Sequence, residues 1–148
     1  MGRSYYILHY NTNALLLRGG EYLILNSDSS KPIYVQIAEW VEAEILRGNF
    51  TKDQKVYSQY QLADKFTINP ATAGKGLTLL VEENILYKKR GLGMFVSEDA
   101  RERIKSKRKN QTLKKLIFEL IMEAERLDVS EEELIEMIQL MKRKGEAQ

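Results

Sequence analysis

The residues of this sequence that are best suited to chemistry are polar side chains at the starts of two short helical patterns. Ser58 precedes the first pattern as a candidate N-cap, Asn69 precedes the second, and Thr72 lies in the first turn of the second. The first N–H groups of a helix have no partner inside it, so a hydroxyl or amide beside them can help to bind a phosphate. Lys75, one turn further along, can donate to a phosphate or to guanine O6 or N7. These residues suit a surface that binds a polyanion; the alternative is that Asn69 only caps its helix and Lys75 is only solvated.

Residue sets for catalysis or metal binding do not occur in the sequence. It contains no cysteine, and its one histidine is His9. The carboxylates fall mainly on the polar faces of predicted helices, and neither a metal-ligand spacing nor a nucleophile paired with a base is present. We therefore expect a protein that is not an enzyme and has no metal or cofactor. The absence of cysteine suits a reducing cytoplasm.

The charge is mild in total but uneven along the chain. The formal net charge is +2, with basic residues concentrated at 88–90 and 101–115 and an acidic run at 131–133. This distribution permits nucleic-acid binding without proving it. No apolar run approaches the roughly 20 residues that span a bilayer, so no membrane partner is expected.

The stretch from Ser58 to Glu83 predicts two helices that meet at a tight break, residues 67–69. Asn69 followed by Pro70 is a strong start signal, because proline lacks the N–H that would have no partner there and its φ already suits a helix. The apolar positions at helical spacing are Leu62, Ala63 and Phe66 in the first helix and Ala73, Leu77, Leu80 and Val81 in the second. Two helices joined so closely describe a helix-turn-helix, although a plain helical hairpin fits this stretch equally well.

A basic β-hairpin is predicted directly after the second helix. Asn84 can end that helix in the left-handed conformation. Residues 85–87 and 94–96 then resemble two short strands, joined by a basic segment, Lys88 to Gly93, whose glycines suit a tight turn. A helix-turn-helix followed by such a hairpin predicts a winged helix. A solvated hairpin edge remains the alternative for the basic tip.

Further helical patterns flank this region on both sides. The first starts at Pro32 and ends at Gly48, with a shared apolar face of Ile33, Ile37, Trp40, Val41, Ile45 and Leu46. Trp40 is predicted to lie in the core. A long helix starts at Glu98, and its first, highly charged part predicts a solvated connector.

The end of the chain predicts two amphipathic helices separated by a break at residues 128–130, with Ser130 and Glu133 as a capping box and Gly145 as the final stop. Their apolar stripes comprise Leu113, Leu116, Ile117, Leu120, Ile121, Ala124 and Leu127, and then Leu134, Ile135, Ile138 and Met141. Two helices this short cannot bury both stripes alone. We favour a symmetric dimer through them over folding back onto the winged helix.

Residues 1–30 are interpreted as an N-terminal extension, 31–97 as the winged helix-turn-helix domain and 98–148 as the helical dimerisation or effector region. The peptide Arg18 to Glu21 is what a purine-rich ribosome-binding site would encode if translated. A native start at Leu23 or Leu25 would make residues 1–22 a translated leader, expected to be disordered or loosely attached. The predicted fold class is therefore mainly α with a small β-hairpin.

From Lys31 to Val96 the sequence resembles the DNA-binding domain of the GntR family of bacterial transcription regulators. The segments that carry this resemblance are Pro32 to Ile37, Ile45 to Gly48, Ser58 with Leu62-Ala63, Asn69 to Ala73, and Gly91 to Val96. The short helical tail and the opening Asn69-Pro70-Ala71-Thr72 resemble the YtrA subfamily. The resemblance implies a homodimer that binds a pseudo-palindromic operator in double-stranded DNA. Such a dimer usually represses a nearby operon, often one for an ATP-binding-cassette transporter.

The sequence departs from the family pattern at several positions. Tyr57-Ser58-Gln59 replaces Pro-Ser-Glu, Tyr60 stands where arginine is frequent, and Asp53 stands where glycine is common. Pro70 and Gly74 replace basic residues that are common in the second helix of the family's helix-turn-helix, the recognition helix. The operator sequence of other family members therefore cannot be assigned to this protein. Phosphate contacts supply much of the affinity of such proteins, so DNA binding itself is still expected.

Eleven residues are the candidate DNA contacts: Ser58, Gln59, Tyr60, Asn69, Pro70, Ala71, Thr72, Lys75, Lys89, Arg90 and Gly91. Base readout is expected from the first turns of the second helix, and the wing is expected to reach a minor groove or its phosphates. A small-molecule effector between the dimer halves or at the connector is a further possible partner. The competing function is a winged-helix module that binds protein without specific DNA binding.

Overall fold

The structure is a computed structural model that describes Leu25 and residues 30–146. The proposed leader, residues 1–22, lies outside the described residues. The elements in chain order are α1 Ile33–Arg47, α2 Gln59–Phe66, α3 Pro70–Glu82, β1 Leu86–Lys89, β2 Gly93–Val96, α4 Ala100–Arg108, a π-helix Lys109–Leu113, α5 Lys114–Arg126 and α6 Glu131–Glu146. The prediction of a mainly α-helical winged helix-turn-helix with a small hairpin is confirmed.

The chain divides into two compact units, with the division between Ser106 and Lys107. The first unit contains α1 to α3, the hairpin and most of α4, and the second contains the π-helix, α5 and α6. The predicted three-part division at residues 30 and 97 stays a prediction. Among the described residues, no helix is both long and apolar enough to cross a membrane.

The core of the first unit forms where α1, α2, α3 and the hairpin meet. Its fully buried side chains include Ile37, Leu62, Leu80, Ile85, Leu86 and Ile104. Trp40 is a core residue, as predicted, with the Phe66 ring centroid 5.1 Å away in an edge-to-face arrangement. Burial of these apolar groups is the main force that holds the short helices in place, because helices of 8 to 15 residues are marginal alone.

Helix α4 corrects the prediction of a solvated connector that starts at Glu98. It starts at Ala100, and both Ala100 and Ile104 are buried in the core. The Arg101 guanidinium donates a 2.7 Å hydrogen bond to the carbonyl oxygen of Leu46, near the end of α1. A charged helix therefore packs here through two apolar side chains four residues apart, which lie on one helix face.

The loop of the hairpin is shorter than the sequence predicted. Lys88 and Lys89 belong to β1 and Gly93 belongs to β2, which leaves residues 90–92 as the connecting loop. Gly91 and Gly93 adopt φ of 75° and 117°, which glycine adopts without steric cost.

The loop before α2 adds a third, short strand-like segment to this hairpin. The Val96 N–H donates to the Gln54 carbonyl, and the Val56 N–H donates to the Met94 carbonyl, both at 3.0 Å. Lys55 lies directly opposite Phe95 in this antiparallel pairing. No strand pattern marks this loop in the sequence, because pairing between residues about 40 positions apart leaves no local periodicity to detect.

The second unit exposes most of its apolar side chains. Asp128, with φ of 55°, separates α5 from α6, and the Glu133 N–H donates to the Ser130 hydroxyl at 3.2 Å. Helix α6 runs through Gly145, so the prediction that Gly145 ends it is wrong. Large side chains that are at least 44% exposed include Leu116, Ile117, Phe118, Ile121, Ile135, Ile138 and Met141.

Candidate nucleic-acid interface

The start of α2 is organised by Ser58. Its hydroxyl accepts a hydrogen bond from the Gln61 N–H at 3.2 Å, and the Gln61 side chain accepts one from the Ser58 N–H at 2.8 Å. This reciprocal capping box satisfies two backbone donors at the N-terminus of α2. Gln59 and Tyr60 follow in the first turn, and Tyr60 is 68% exposed. Tyr60 is therefore free to contact a partner, whereas the Ser58 hydroxyl already has a structural role.

The turn between α2 and α3 depends on Thr67. Thr67 has φ of 53°, in the left-handed region, and its N–H donates to the Ala63 carbonyl at the end of α2. The left-handed region is unfavourable for a β-branched residue, because its side chain crowds the backbone there. The short break predicted at residues 67–69 is therefore confirmed, with backbone strain at its first residue.

The start of α3 has the predicted cap. The side-chain oxygen of Asn69 accepts a hydrogen bond from the Ala71 N–H at 2.8 Å, and Pro70 occupies the first helical turn. The exposed residues of α3 follow a helical stripe of Ala71, Lys75, Thr78 and Glu82. Thr72 is only half-buried. Thr78, three residues after Lys75, was not among the predicted contacts, and its hydroxyl donates a 3.0 Å hydrogen bond to the Gly74 carbonyl oxygen.

Two glycines let neighbouring segments approach α3 closely. A methyl group on Gly76 would lie 2.6 Å from the backbone carbonyl oxygen of Tyr34 in α1. A methyl group on Gly74 would lie 2.6 Å from the side-chain oxygen of Gln59 in α2. The structure therefore brings Gln59 against α3, one helical turn after Pro70.

The predicted cation of α3 is held by α1. The Lys75 ammonium lies 4.0 Å from the centroid of the Tyr34 ring, a cation–π contact. Lys75 remains exposed, so the contact orients the ammonium without burying it. Tyr34 was not predicted as part of this surface, because nothing in the local pattern of α1 relates it to residue 75.

The wing has an inner face on the core and an outer face to solvent. Leu86 and its partner Val96 are buried on the inner face. The next pair, Tyr87 and Phe95, lies on the outer face because side chains alternate along a strand. The Tyr87 hydroxyl donates a 2.7 Å hydrogen bond to the Asp53 carboxylate, and Asp53 has φ of 61°. Asp53 thus occupies a left-handed position, where the family pattern commonly has glycine.

The tip of the wing carries the predicted basic residues. Lys89 lies at the end of β1, with its ammonium 4.5 Å from the centroid of the Phe95 ring. Arg90 and Gly91 are exposed in the loop. Beyond the opposite end of the hairpin, the hydrogen bond from Lys52 to Glu98 raises the pKa of Lys52 above its ordinary value.

The eleven candidate residues occupy three segments of the first unit: the start of α2, the first turns of α3 and the wing. Their role in binding stays a prediction. Within the described part of the chain, no group of three or more histidine or acidic residues could hold a metal ion.

Comparisons with known proteins relate these elements to a family, although no family model matches the chain. The HTH-type transcriptional repressor YtrA of Bacillus subtilis is 33% identical over 74% of this chain and 84% of YtrA. The HTH-type transcriptional repressor NagR of the same organism is 36% identical over 53% of this chain, which spans only 32% of the length of NagR. A solved GntR family transcriptional regulator from Listeria monocytogenes superposes with a TM-score of 0.63 and 34% identity, and covers 76% of this chain and 96% of that one. The chain therefore belongs to the GntR family of transcriptional regulators, in the YtrA subfamily.

Proposed function

We propose that this protein is a sequence-specific DNA-binding repressor of transcription that acts as a homodimer on a pseudo-palindromic operator. The observation that carries this proposal is the capped, solvent-exposed start of α3 within a helix-turn-helix, with Ala71 and Lys75 on its exposed stripe. Such a helix start can enter a major groove and read base edges. The relatives YtrA and NagR, both named transcriptional repressors, support the direction of regulation.

Base readout would depend mainly on short side chains. Ala71 and Thr72 can contact a thymine methyl group, and Lys75 can donate to guanine O6 or N7. The amide nitrogen of Asn69 is not used by the helix cap and can donate to a base or phosphate. Pro70 leaves no N–H to satisfy at the first helical position, so α3 starts there without an unpaired backbone donor.

Phosphate contacts would come from the two flanking segments. Ser58, Gln59 and Tyr60 lie at the N-terminus of α2, where exposed N–H groups and the helix dipole favour an anion. In the wing, Lys89, Arg90 and Gly91 are suited to a minor groove or its phosphates.

Homodimer formation would use α5 and α6. In the described part of the second unit, Ala124 is the only buried apolar side chain. A continuous set of exposed apolar residues of this extent is unfavourable in water, and a second copy of the same helices would cover it. Binding to a pseudo-palindromic operator would require the two recognition helices of the dimer to lie about one DNA turn apart, roughly 34 Å.

The regulated operon and the effector follow from the family resemblance alone. An operon for an ATP-binding-cassette transporter is the proposed target. A small molecule bound between the dimer halves or at the connector would regulate binding by changing the separation of the two α3 helices.

The deciding experiment is a mobility-shift titration with DNA from the region upstream of the gene. A repressor should shift this fragment at moderate salt, prefer it to a shuffled fragment of equal length, and release it steeply as salt rises. A winged-helix module that binds protein would retain both fragments weakly and equally, and that outcome would reject the proposal.

A further inference from the structure

The outer face of the wing contains a second lysine that comes from outside the hairpin. Lys55 lies opposite Phe95, which in turn lies opposite Tyr87. Residues directly opposite each other in antiparallel strands project to the same face of the sheet. Lys55 therefore projects to the outer face with Tyr87 and Phe95.

Lys89 projects to this same face. It is two residues after Tyr87 in β1, and its ammonium lies 4.5 Å and 5.5 Å from the ring centroids of Phe95 and Tyr87. Lys88, between them, projects to the opposite face. The outer face thus receives one lysine from each edge of the three-segment sheet.

Gly93 separates the two lysines. It is the register partner of Lys89, and a methyl group built on it would lie 2.8 Å from Cε of Lys55. The missing side chain lets the Lys55 stem cross β2 toward Lys89. Two cations are thereby placed around a stretch of backbone that has no bulky side chain.

The charges on this face are not neutralised by local ion pairs. Lys55 and Lys89 are both exposed, and neither forms a salt bridge within residues 30–146. Asp53, on the same segment, has its carboxylate engaged by the Tyr87 hydroxyl. Lys52, three residues before Lys55, is instead paired with Glu98.

We propose that Lys55 binds a DNA phosphate together with Lys89, across Gly93, so that the outer face of the wing is a phosphate-binding surface. The proposal rests on the DNA-binding function proposed above and adds Lys55, from the loop before α2, to the residues that bind phosphate. Two exposed ammonium groups on one sheet face match the negative charge of a nucleic-acid backbone, and such contacts carry no sequence information.

The test compares the salt dependence of operator binding for the full chain and three variants. Lys55→Gln should reduce the slope of log affinity against log salt by roughly 0.9 for each phosphate that the variant no longer binds. It should lower the affinity for operator DNA and for shuffled DNA by the same factor. Lys55→Arg should restore the wild-type slope. Lys52→Gln, which removes the same charge from a lysine already paired with Glu98, should leave the slope unchanged.

An unchanged slope in Lys55→Gln, with wild-type binding intact, would overturn the inference and leave the proposed function standing. Equal reductions in Lys55→Gln and Lys52→Gln would also overturn it, because they would indicate a general charge effect. Failure of the wild-type protein to bind the operator would overturn both. Thermal unfolding of each variant verifies that the fold is retained.

Discussion

The ammonium of Lys75 in α3 lies 4.0 Å from the centroid of the Tyr34 ring in α1. Gly76, the residue after Lys75, lets the backbones of α1 and α3 approach closely. The Tyr34 ring therefore lies beneath the Lys75 side chain. An ammonium oriented in this way loses less conformational freedom when it binds a ligand than a freely rotating one. The contact therefore connects the packing of two helices with the proposed reading of DNA.

Replacing both Lys75 and Arg90 by alanine should weaken operator binding without unfolding the protein. Loss of the base contact proposed for Lys75 should cost about 1–3 kcal/mol, and loss of Arg90 should add a decrease in affinity that depends on salt. Titration by fluorescence anisotropy at fixed salt measures this change. Lys88→Ala, on the opposite face of the wing from Lys89, is the control for the loss of a single wing charge, and unchanged affinity in the double variant would mean that the proposed surface is wrong.

Tyr34→Leu should weaken operator binding about two- to fivefold, because a cation–π contact at an exposed site contributes about 0.5–1 kcal/mol. Tyr34→Phe keeps the aromatic ring and should bind as the wild type does. In a Lys75→Ala background, Tyr34→Leu should have no further effect on affinity, since the two residues act through one contact. An equal decrease in both backgrounds would show that Tyr34 acts in another way.

Gly76→Ala should destabilise the first unit by about 1–3 kcal/mol, because its methyl group would meet backbone that cannot move aside. Gly74→Ala is the matched control, since its methyl group would meet only the flexible end of Gln59 and alanine favours a helix. Urea unfolding of both variants measures the difference. Equal stabilities would contradict the close approach of α1 and α3.

Thr67→Asn should stabilise the protein by about 1 kcal/mol, because asparagine tolerates the left-handed conformation better than a β-branched residue does. Thr78→Asn is the control, since Thr78 is exposed within α3 and has no such strain to relieve. The measurement is the midpoint of thermal unfolding, which should rise for Thr67→Asn alone.

Ile117→Glu should convert the proposed dimer to a monomer, because it places a charge in the exposed apolar set of α5. Light scattering after size-exclusion chromatography gives the mass directly. Ile117→Leu keeps an apolar side chain of the same volume and should remain dimeric. A monomeric wild-type protein would exclude the dimer at the concentration used.

The residues that open and close α1, α2 and α3 were predictable from the sequence because capping is local. Ser58, Asn69 with Pro70, Gly48 and Asn84 all have the roles that their types and positions indicated. A cap requires only a few neighbouring residues and a suitable φ, so its signal is contained in a short stretch. The same holds for the apolar spacing that identified the core faces of α1, α2 and α3.

The contacts that shape the candidate site were decided by the tertiary structure alone. Tyr34 beneath Lys75, Gly76 against α1 and Lys55 beside Gly93 each join residues that are about 40 positions apart in sequence. Such pairs depend on how the helices and the wing pack around a shared core, and no local periodicity encodes that packing. The sequence by itself therefore determined α1 to α3, the hairpin and the family resemblance, whereas the orientation of the cations followed only from long-range packing.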